Sequence, residues 1–341
     1  MYLNRKNKNR IFHNKRCRKY SRKRTYYRKR NKKTKHRKQQ VVVVTAPKVL
    51  DVFSETESTI SFFGNVLNKI ASCAIDSSLY FDLSAIETIS PDAIMYLIAI
   101  ISNNKHVRGY RIRCKGNLPK NDEARAMFCD TGFFDFVNSK SQAIGENSDY
   151  MKIQFGINNN PIVARNFCDF VDNSERGFLK TKKLFRMLNE LMTNTYQHAY
   201  RGVNSNGARI LSYWYTFAKN KGNLTQFVFL DTGLGIPKTV AKKVSETIQG
   251  FFSSKADAIC LESALRGDYL RSETGLSYRG KGLPEIYNNC RTGSIRDLKI
   301  VSGRAMCEVT ETNIQSSVLN SAFEGTLFSW SVLKGESNDN N

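Results

Sequence analysis

Glu190, Asn194 and His198 recur at four-residue spacing within the stretch NELMTNTYQH. An α-helix advances about 100° per residue, so positions i, i+4 and i+8 drift only slightly around its surface. These side chains form one polar stripe, beside an apolar stripe of Leu184, Leu188, Leu191 and Thr195 suited to a core. A carboxylate, a carboxamide and an imidazole in a row can hold a metal ion and a reacting water. They can equally be a solvated helix face.

Three glycine-containing stretches follow. In LDTGLGIP, Asp231 ends a strand, and Gly233 and Gly235 let the backbone approach a ligand or take positive φ. A carboxylate held there can accept a hydrogen bond from an exocyclic amine, which is a way to select adenine. A plain β-turn is the default reading. In YRGKGLPEIY, Gly280 and Gly282 flank Lys281 ahead of a helix. Backbone N–H groups at a helix N-terminus attract anions, and a lysine adds a point charge. In EGTLFSW, Gly325 and Thr326 lead into an amphipathic strand.

Elements must position these residues. The pattern predicts strands at 41–50, 78–84 and 110–116, and helices at 58–73, 93–105 and 121–137. Strands alternating with helices indicate an α/β layer around a parallel or mixed sheet. A Ser-, Asn- and Gly-rich boundary over 138–160 follows, then a helix over 174–201. Strands are expected at 208–218, from 223 into the turn ending at 237, and at 295–303, 304–310 and 325–333. Residues 238–265 are helical by composition, and 266–283 are polar. The division is 1–40 as a basic disordered arm, 41–140 as a first α/β domain and 141–173 as a linker leading into the second. The second domain spans 174–334, and 335–341 is a disordered tail.

Charge is concentrated at one end. The net formal charge is +23, and residues 1–40 hold 19 Lys or Arg and no acid, which leaves +4 for the rest. A like-charged run of this density cannot collapse into a core. Phe12, Tyr20, Tyr26 and Tyr27 interleave with the charges, a mixture suited to phosphate neutralisation and base stacking on nucleic acid. Anionic lipid is a second target, and a solubilising extension is the plain alternative. The eight cysteines form no CxxC pair, as expected of reduced thiols in a cytoplasmic protein. The longest apolar run, AIMYLIAII, falls short of the ~20 residues that span a bilayer, so no transmembrane segment is expected.

The four motifs occur in a definite order, and together residues 174–334 resemble the ATP-binding domain of the GHKL superfamily of gyrase, heat-shock chaperones, histidine kinases and mismatch-repair ATPases. NELMTNTYQHAY is similar to the N box, DTGLGIP to the G1 box, GKGLPEI to the G2 box and GTLFSW to the closing motif. The resemblance implies a Bergerat α/β sandwich with a mixed sheet, binding ATP and Mg²⁺. It implies Asn194 as the Mg²⁺ ligand, Glu190 as general base, and His198 and Lys281 near the phosphates. Asp231 would take the adenine amine with Thr326 in support, and Gly233, Gly235, Gly280 and Gly282 would line the pocket. A lid over about 238–279 would close on the γ-phosphate, with Arg266, Arg271 and Arg279 as candidate sensors. Of the four histidines, His13 and His36 fall in the basic arm, His106 follows the helix expected at 93–105 and His198 lies in the N box, so a histidine autokinase is not expected.

SLYFDLSAIETISPDAIMYLIAII (78–101) and EARAMFCDTGFFDFV (123–137) resemble the STAS, or anti-sigma-factor-antagonist, fold. In antagonists the loop carries a serine that a partner kinase phosphorylates. The aligned position here is Asp92, which could mimic a constant charge, and Ser90 is the weaker candidate for the switch. A plain packing domain is the alternative. The joint expectation is an Mg²⁺-ATP-binding regulatory protein, a slow ATPase whose nucleotide state controls contact with a regulatory protein partner. The alternatives are an anti-sigma-type serine/threonine kinase, and a nucleic-acid-binding protein with ATP as ligand switch. Many relatives act as dimers, so a homodimer is also open.

Overall fold

In a computed structural model the described residues are 40–74, 77–108, 112–137, 147–172, 177–197, 200–203, 209–244, 256–268 and 282–334. The arm (apart from its last residue), the tail, His198, Gly280, Lys281, Arg271, Arg279 and much of the expected lid lie outside them.

The β-branched run at 41–50 forms two strands, β1 (Val41–Thr45) and β2 (Val49–Leu50). Pro47 separates them because it has no N–H to give a ladder. Next come α1 (Thr56–Ser72), β3 (Ser78–Asp82), β4 (Thr88–Ile89), α2 (Pro91–Arg108) and β5 (Arg113–Gly116). β4 falls in the stretch read as a loop and makes a short parallel ladder with β2. The order β1-β3-β5 makes a small sheet, with β3 and β5 parallel. The third helix, α3 (Asp122–Asp130), is capped by Asn121, which accepts the Ala124 N–H at 2.9 Å. Gly132, at φ 76°, ends it and turns the aromatic tail into a 3-10 turn at Phe133–Asp135.

Residues 141–173, expected as a linker, hold regular structure where they are described. They contain β6 (Tyr150–Gly156) and α4 (Pro161–Val171). Asn160 caps α4 by accepting the Ile162 and Val163 N–H groups, and Pro161 is preset for the first helical turn. A seven-residue strand between polar runs carries too few alternations to stand out in sequence. The chain continues through α5 (Gly177–Gln197), β7 (Tyr200–Val203), β8 (Arg209–Leu211), β9 (Trp214–Lys221) and β10 (Leu224–Asp231). It ends with α6 (Ile236–Val244), α7 (Ala256–Arg266), α8 (Gly282–Arg291), β11 (Arg296–Val309) and β12 (Ile314–Leu333). The two strands expected at 295–303 and 304–310 are the single β11, with register shifts around Gly303.

The large sheet has the order β11-β12-β10-β9-β6. Its pairs are all antiparallel among the described strands, rather than the mixed set the resemblance implies. The cause is local. β9 and β10 are joined across Gly222 (φ 61°), and β11 and β12 by the short turn at Thr310–Asn313, so each adjoining strand must reverse.

Both faces of this sheet are buried. Alternation sends Trp214, Phe227, Phe229, Phe328 and Trp330 to one side, under α4, α5, α7 and α8. It sends Tyr215, Phe217, Val228, Leu230 and Leu327 to the other, under α1 and α2. The same cluster runs on through those helices to Val44, Leu79 and Phe81 of the small sheet. Thus α2 lies between two sheets, and its residues from Ala93 to Ile100 are buried on every side, as a helix apolar all round requires. Polar bonds pin the layers. The Tyr96 ring stacks on Phe323 at 4.4 Å and its hydroxyl donates to the Glu324 carbonyl at 3.2 Å. The Asn320 N–H donates to Glu57 at 2.9 Å. The two sequence-level α/β regions therefore share one core, and the described residues from Val42 onward form one compact unit. Their cysteines are free thiols. Among the described residues no helix is long and apolar enough to cross a membrane.

Candidate functional site

Leu184, Met187, Leu188, Leu191 and Met192 seat α5 in the core against the large sheet. At about 100° per residue that seating turns Glu190 and Asn194 to one flank of the helix, where both are half-buried. Glu190 meets the first residue of α8. A Cβ on Gly282 would come within 2.5 Å of the Glu190 Cγ and Oε1, so glycine is what lets the helix begin this close. Burial raises the Glu190 carboxyl above the ordinary glutamate range, and the neighbouring Glu285 charge adds to it. Phe185, Arg186, Asn189, Glu190, Thr193 and Glu285 line an open cleft of about 320 Å³. A raised proton affinity makes a carboxylate a better base.

The second group is built on the sheet. In register, Trp214 of β9 opposes Asp231 of β10, Asp231 opposes Thr326 of β12, and Thr326 opposes Ser302 of β11. Cross-strand partners share a face, so the row lies on the side of Trp214, under α4, α5, α7 and α8. Asp231 Oδ1 accepts the Gly233 N–H at 2.7 Å, which curls the chain out of β10. Thr232 holds the turn to the neighbouring strand, because the Tyr213 N–H donates to its Oγ1 and its own N–H to the Tyr213 carbonyl, each at 2.9 Å. The glycines interlock here. A Cβ on Gly235 (φ 87°) would lie 2.9 Å from Ser302 Oγ, and one on Gly325 (φ 107°) would strike the Asp231 carbonyl. Glycine is required at both positions by space and by φ.

Ser302, fully buried, ties these pieces together. Its Oγ accepts the Ile236 N–H at 2.9 Å, donates to the Gly325 carbonyl at 2.9 Å, and lies 2.9 Å from Thr326 Oγ1. The α5 group reaches the same end of the sheet. The Asn160 N–H points at Met192 sulfur at 3.5 Å, and the Trp214 Nε1–H donates to the Asn158 carbonyl at 2.8 Å. One turn of chain therefore touches both α5, two residues before Asn194, and the strand residue paired with Asp231.

Of the expected residues, Glu190 and Gly282 meet, as do Asp231, Gly233, Gly235 and Thr326. His198, Gly280 and Lys281 lie outside the described residues. Arg266 is engaged by Glu262 on its own helix, with Nη2 at 2.9 Å and Nε at 3.1 Å. Ser302, Gly325 as a spacer and Glu285 were not singled out by sequence. Ser302 sits in the ordinary-looking strand IVSG and becomes visible only through its register with Thr326.

The expected regulatory loop is tightly held. Ser90 caps α2, its Oγ accepting the Ala93 N–H at 3.4 Å, with Pro91 at the first helical position. Asp92 is only 4% exposed, and its Oδ1 accepts the Val52 N–H at 3.1 Å and the Ser90 hydroxyl at 2.5 Å. Burial, then the charge of Asp51, pushes its carboxyl up to about 7. It staples α2 to the β2 segment and offers no exposed charge in this structure. Among the described residues no group of three or more His, Cys, Asp or Glu could hold a metal ion. No protein-family model matches this chain, and a search of curated proteins finds no match.

Proposed function

We propose that this chain is a GHKL-type Mg²⁺-ATP-binding regulatory protein with a STAS-like N-terminal layer, and a slow ATPase whose nucleotide state controls contact with a protein partner. The observation that carries the reading is the cleft at Glu190, where a raised, half-buried carboxyl abuts the glycine that opens α8; Asp231, packed against Gly233 and Gly325, supports it.

The residues fit the ligand. Mg²⁺ arriving with a nucleotide keeps several waters and needs only one or two protein oxygens, which the Asn194 carboxamide can supply. Bound Mg²⁺ would neutralise charge on the phosphates. Glu190, ionised, accepts a proton from water, and the raised proton affinity suits that role. Asp231 Oδ1 accepts the Gly233 N–H, which fixes its carboxylate at the end of β10. The layered core supports a regulatory role, because Tyr96 of α2 bonds the carbonyl of Glu324, next to the Gly325–Thr326 segment.

The test is Mg²⁺-dependent ATP binding and phosphate release by the full chain, beside Glu190→Gln and Asn194→Ala. Wild type is expected to bind and release phosphate slowly. Glu190→Gln should bind without turnover, and Asn194→Ala should lose the Mg²⁺-dependent part of affinity. Binding without release, with phosphate appearing instead on a partner serine, would make the protein a kinase. No binding at all would refute the proposal.

A further inference from the structure

The small sheet has two faces, and the core covers one of them. Val44 of β1, Leu79 and Phe81 of β3 and Ile112, just ahead of β5, enter that core, and Cys114 packs against it. Side chains alternate along a strand, so Val43, Tyr80, Arg113 and Lys115 take the other face. Val43 is 49% exposed, Arg113 and Lys115 are exposed, and Tyr80 is half-buried in the central strand. Register sets Tyr80 directly beside Lys115, about 5 Å away across neighbouring parallel strands.

Charge on this face is mostly of one sign. Among the described residues no ion pair holds Arg113 or Lys115. At the opposite rim Lys69 of α1 reaches β1, its Nζ donating to the Val43 carbonyl at 2.9 Å. The one acid in the three strands is Asp82, at the end of β3. Its Oδ1 accepts the Asn117 amide and the Ser84 hydroxyl, each at 2.7 Å, and the Lys120 charge acts on it as well. The basic arm, with its 19 Lys or Arg, ends at Gln40 and so runs in sequence directly into β1.

An aromatic ring in the middle of a sheet, with cations on both sides, complements a chain of flat bases joined by phosphates. A bilayer surface fits it less well. Apolar groups that hold a membrane surface sink about 5–10 Å into it, and this face offers a short valine and a half-buried tyrosine.

We propose that the outer face of the β1-β3-β5 sheet binds single-stranded nucleic acid, with a base stacked on Tyr80 and phosphates at Arg113 and Lys115. Few phosphates are neutralised by the face itself, so the arm supplies most of the affinity and the face adds the stacked base. The site is separate from the Glu190 cleft, and the inference does not rest on the nucleotide reading.

The experiment titrates the full chain into a labelled oligothymidylate, without added nucleotide, and follows fluorescence anisotropy across a salt series. The variants are Tyr80→Val, Tyr80→Phe and the double variant Arg113→Gln with Lys115→Gln. Tyr80→Val keeps a strand-forming residue and should weaken binding at least about fivefold, the low end of one stacked base, with the salt slope unchanged. Tyr80→Phe keeps the ring and should bind as wild type does. The double variant should reduce the slope of log K against log salt by about 1.4, at about 0.7 per phosphate. An unchanged affinity in folded Tyr80→Val, or an unchanged slope in the double variant, overturns the proposal. Should Tyr80→Val not fold, the double variant, changed only at exposed positions, decides. Vesicles of phosphatidylserine and phosphatidylcholine are titrated alongside. Vesicle binding that depends on Tyr80, Arg113 and Lys115, with oligonucleotide binding that does not, assigns the face to lipid and overturns it too. So does a full chain that binds no oligonucleotide.

Discussion

Replacing Asp92 by Asn should make the protein more stable at neutral pH, although it alters a fully buried side chain with two hydrogen-bond donors aimed at it. The Val52 N–H and the Ser90 hydroxyl both donate to Oδ1, an acceptor that asparagine keeps. What asparagine removes is a carboxyl whose folded-state value is raised from 3.8 to about 7 by burial and by Asp51. A carboxyl raised in the folded state contributes most below its unfolded value and costs stability above it. Well below pH 3.8 the acid is neutral in both states, so wild type and variant differ only by the exchange of an amide for an acid. As pH climbs, the unfolded chain gives up its proton first while the folded chain holds it. Wild type should then lose ground to Asp92→Asn by about 1.4 kcal/mol per pH unit. The loss levels off above about 7, after a total on the order of 4 kcal/mol. Urea unfolding of both proteins at pH 4.5, 6 and 7.5 measures the difference. A difference that stays flat across this range refutes the reasoning, because it would mean Asp92 ionises alike in both states.

Two further outcomes follow from charge. Glu285→Gln removes the smaller of the two causes that raise Glu190, so the acid limb of the ATPase pH profile should shift toward lower pH without reaching the ordinary glutamate range, since burial remains. An unmoved limb in a kcat/KM profile would show that Glu190 does not set it. Deleting residues 1–40 removes 19 positive charges and leaves +4. If the arm neutralises phosphates, full-length protein should bind single-stranded nucleic acid with a slope of log K against log salt near −0.7 per phosphate contacted, and the deletion should abolish it. Equal binding by both proteins, measured by fluorescence anisotropy across a salt series, would exclude the arm as the contact.

Sequence by itself determined what depends on near neighbours along the chain. The polar stripe of Glu190 and Asn194 follows from helical period, and the need for Gly235 (φ 87°) follows from a strand turning sharply after Asp231. The end of α3 ahead of Gly132 (φ 76°) has the same local cause. The basic arm was legible because charge density needs no fold to be read. The tertiary structure decided everything that depends on which strands lie side by side. Ser302, 71 positions beyond Asp231 in the chain, joins the site because β12 lies between β11 and β10 in register. Strand β6 and helix α4 were hidden in the expected linker because seven residues of alternation are a weak signal until β9 pairs with them. Asp92 read as an exposed charge because loops are usually solvated; only the packing of α2 between two sheets buries it. The two α/β regions share one core for the same reason. The face that the large sheet would otherwise turn to water is covered by the helices of the first half, so one core spans both.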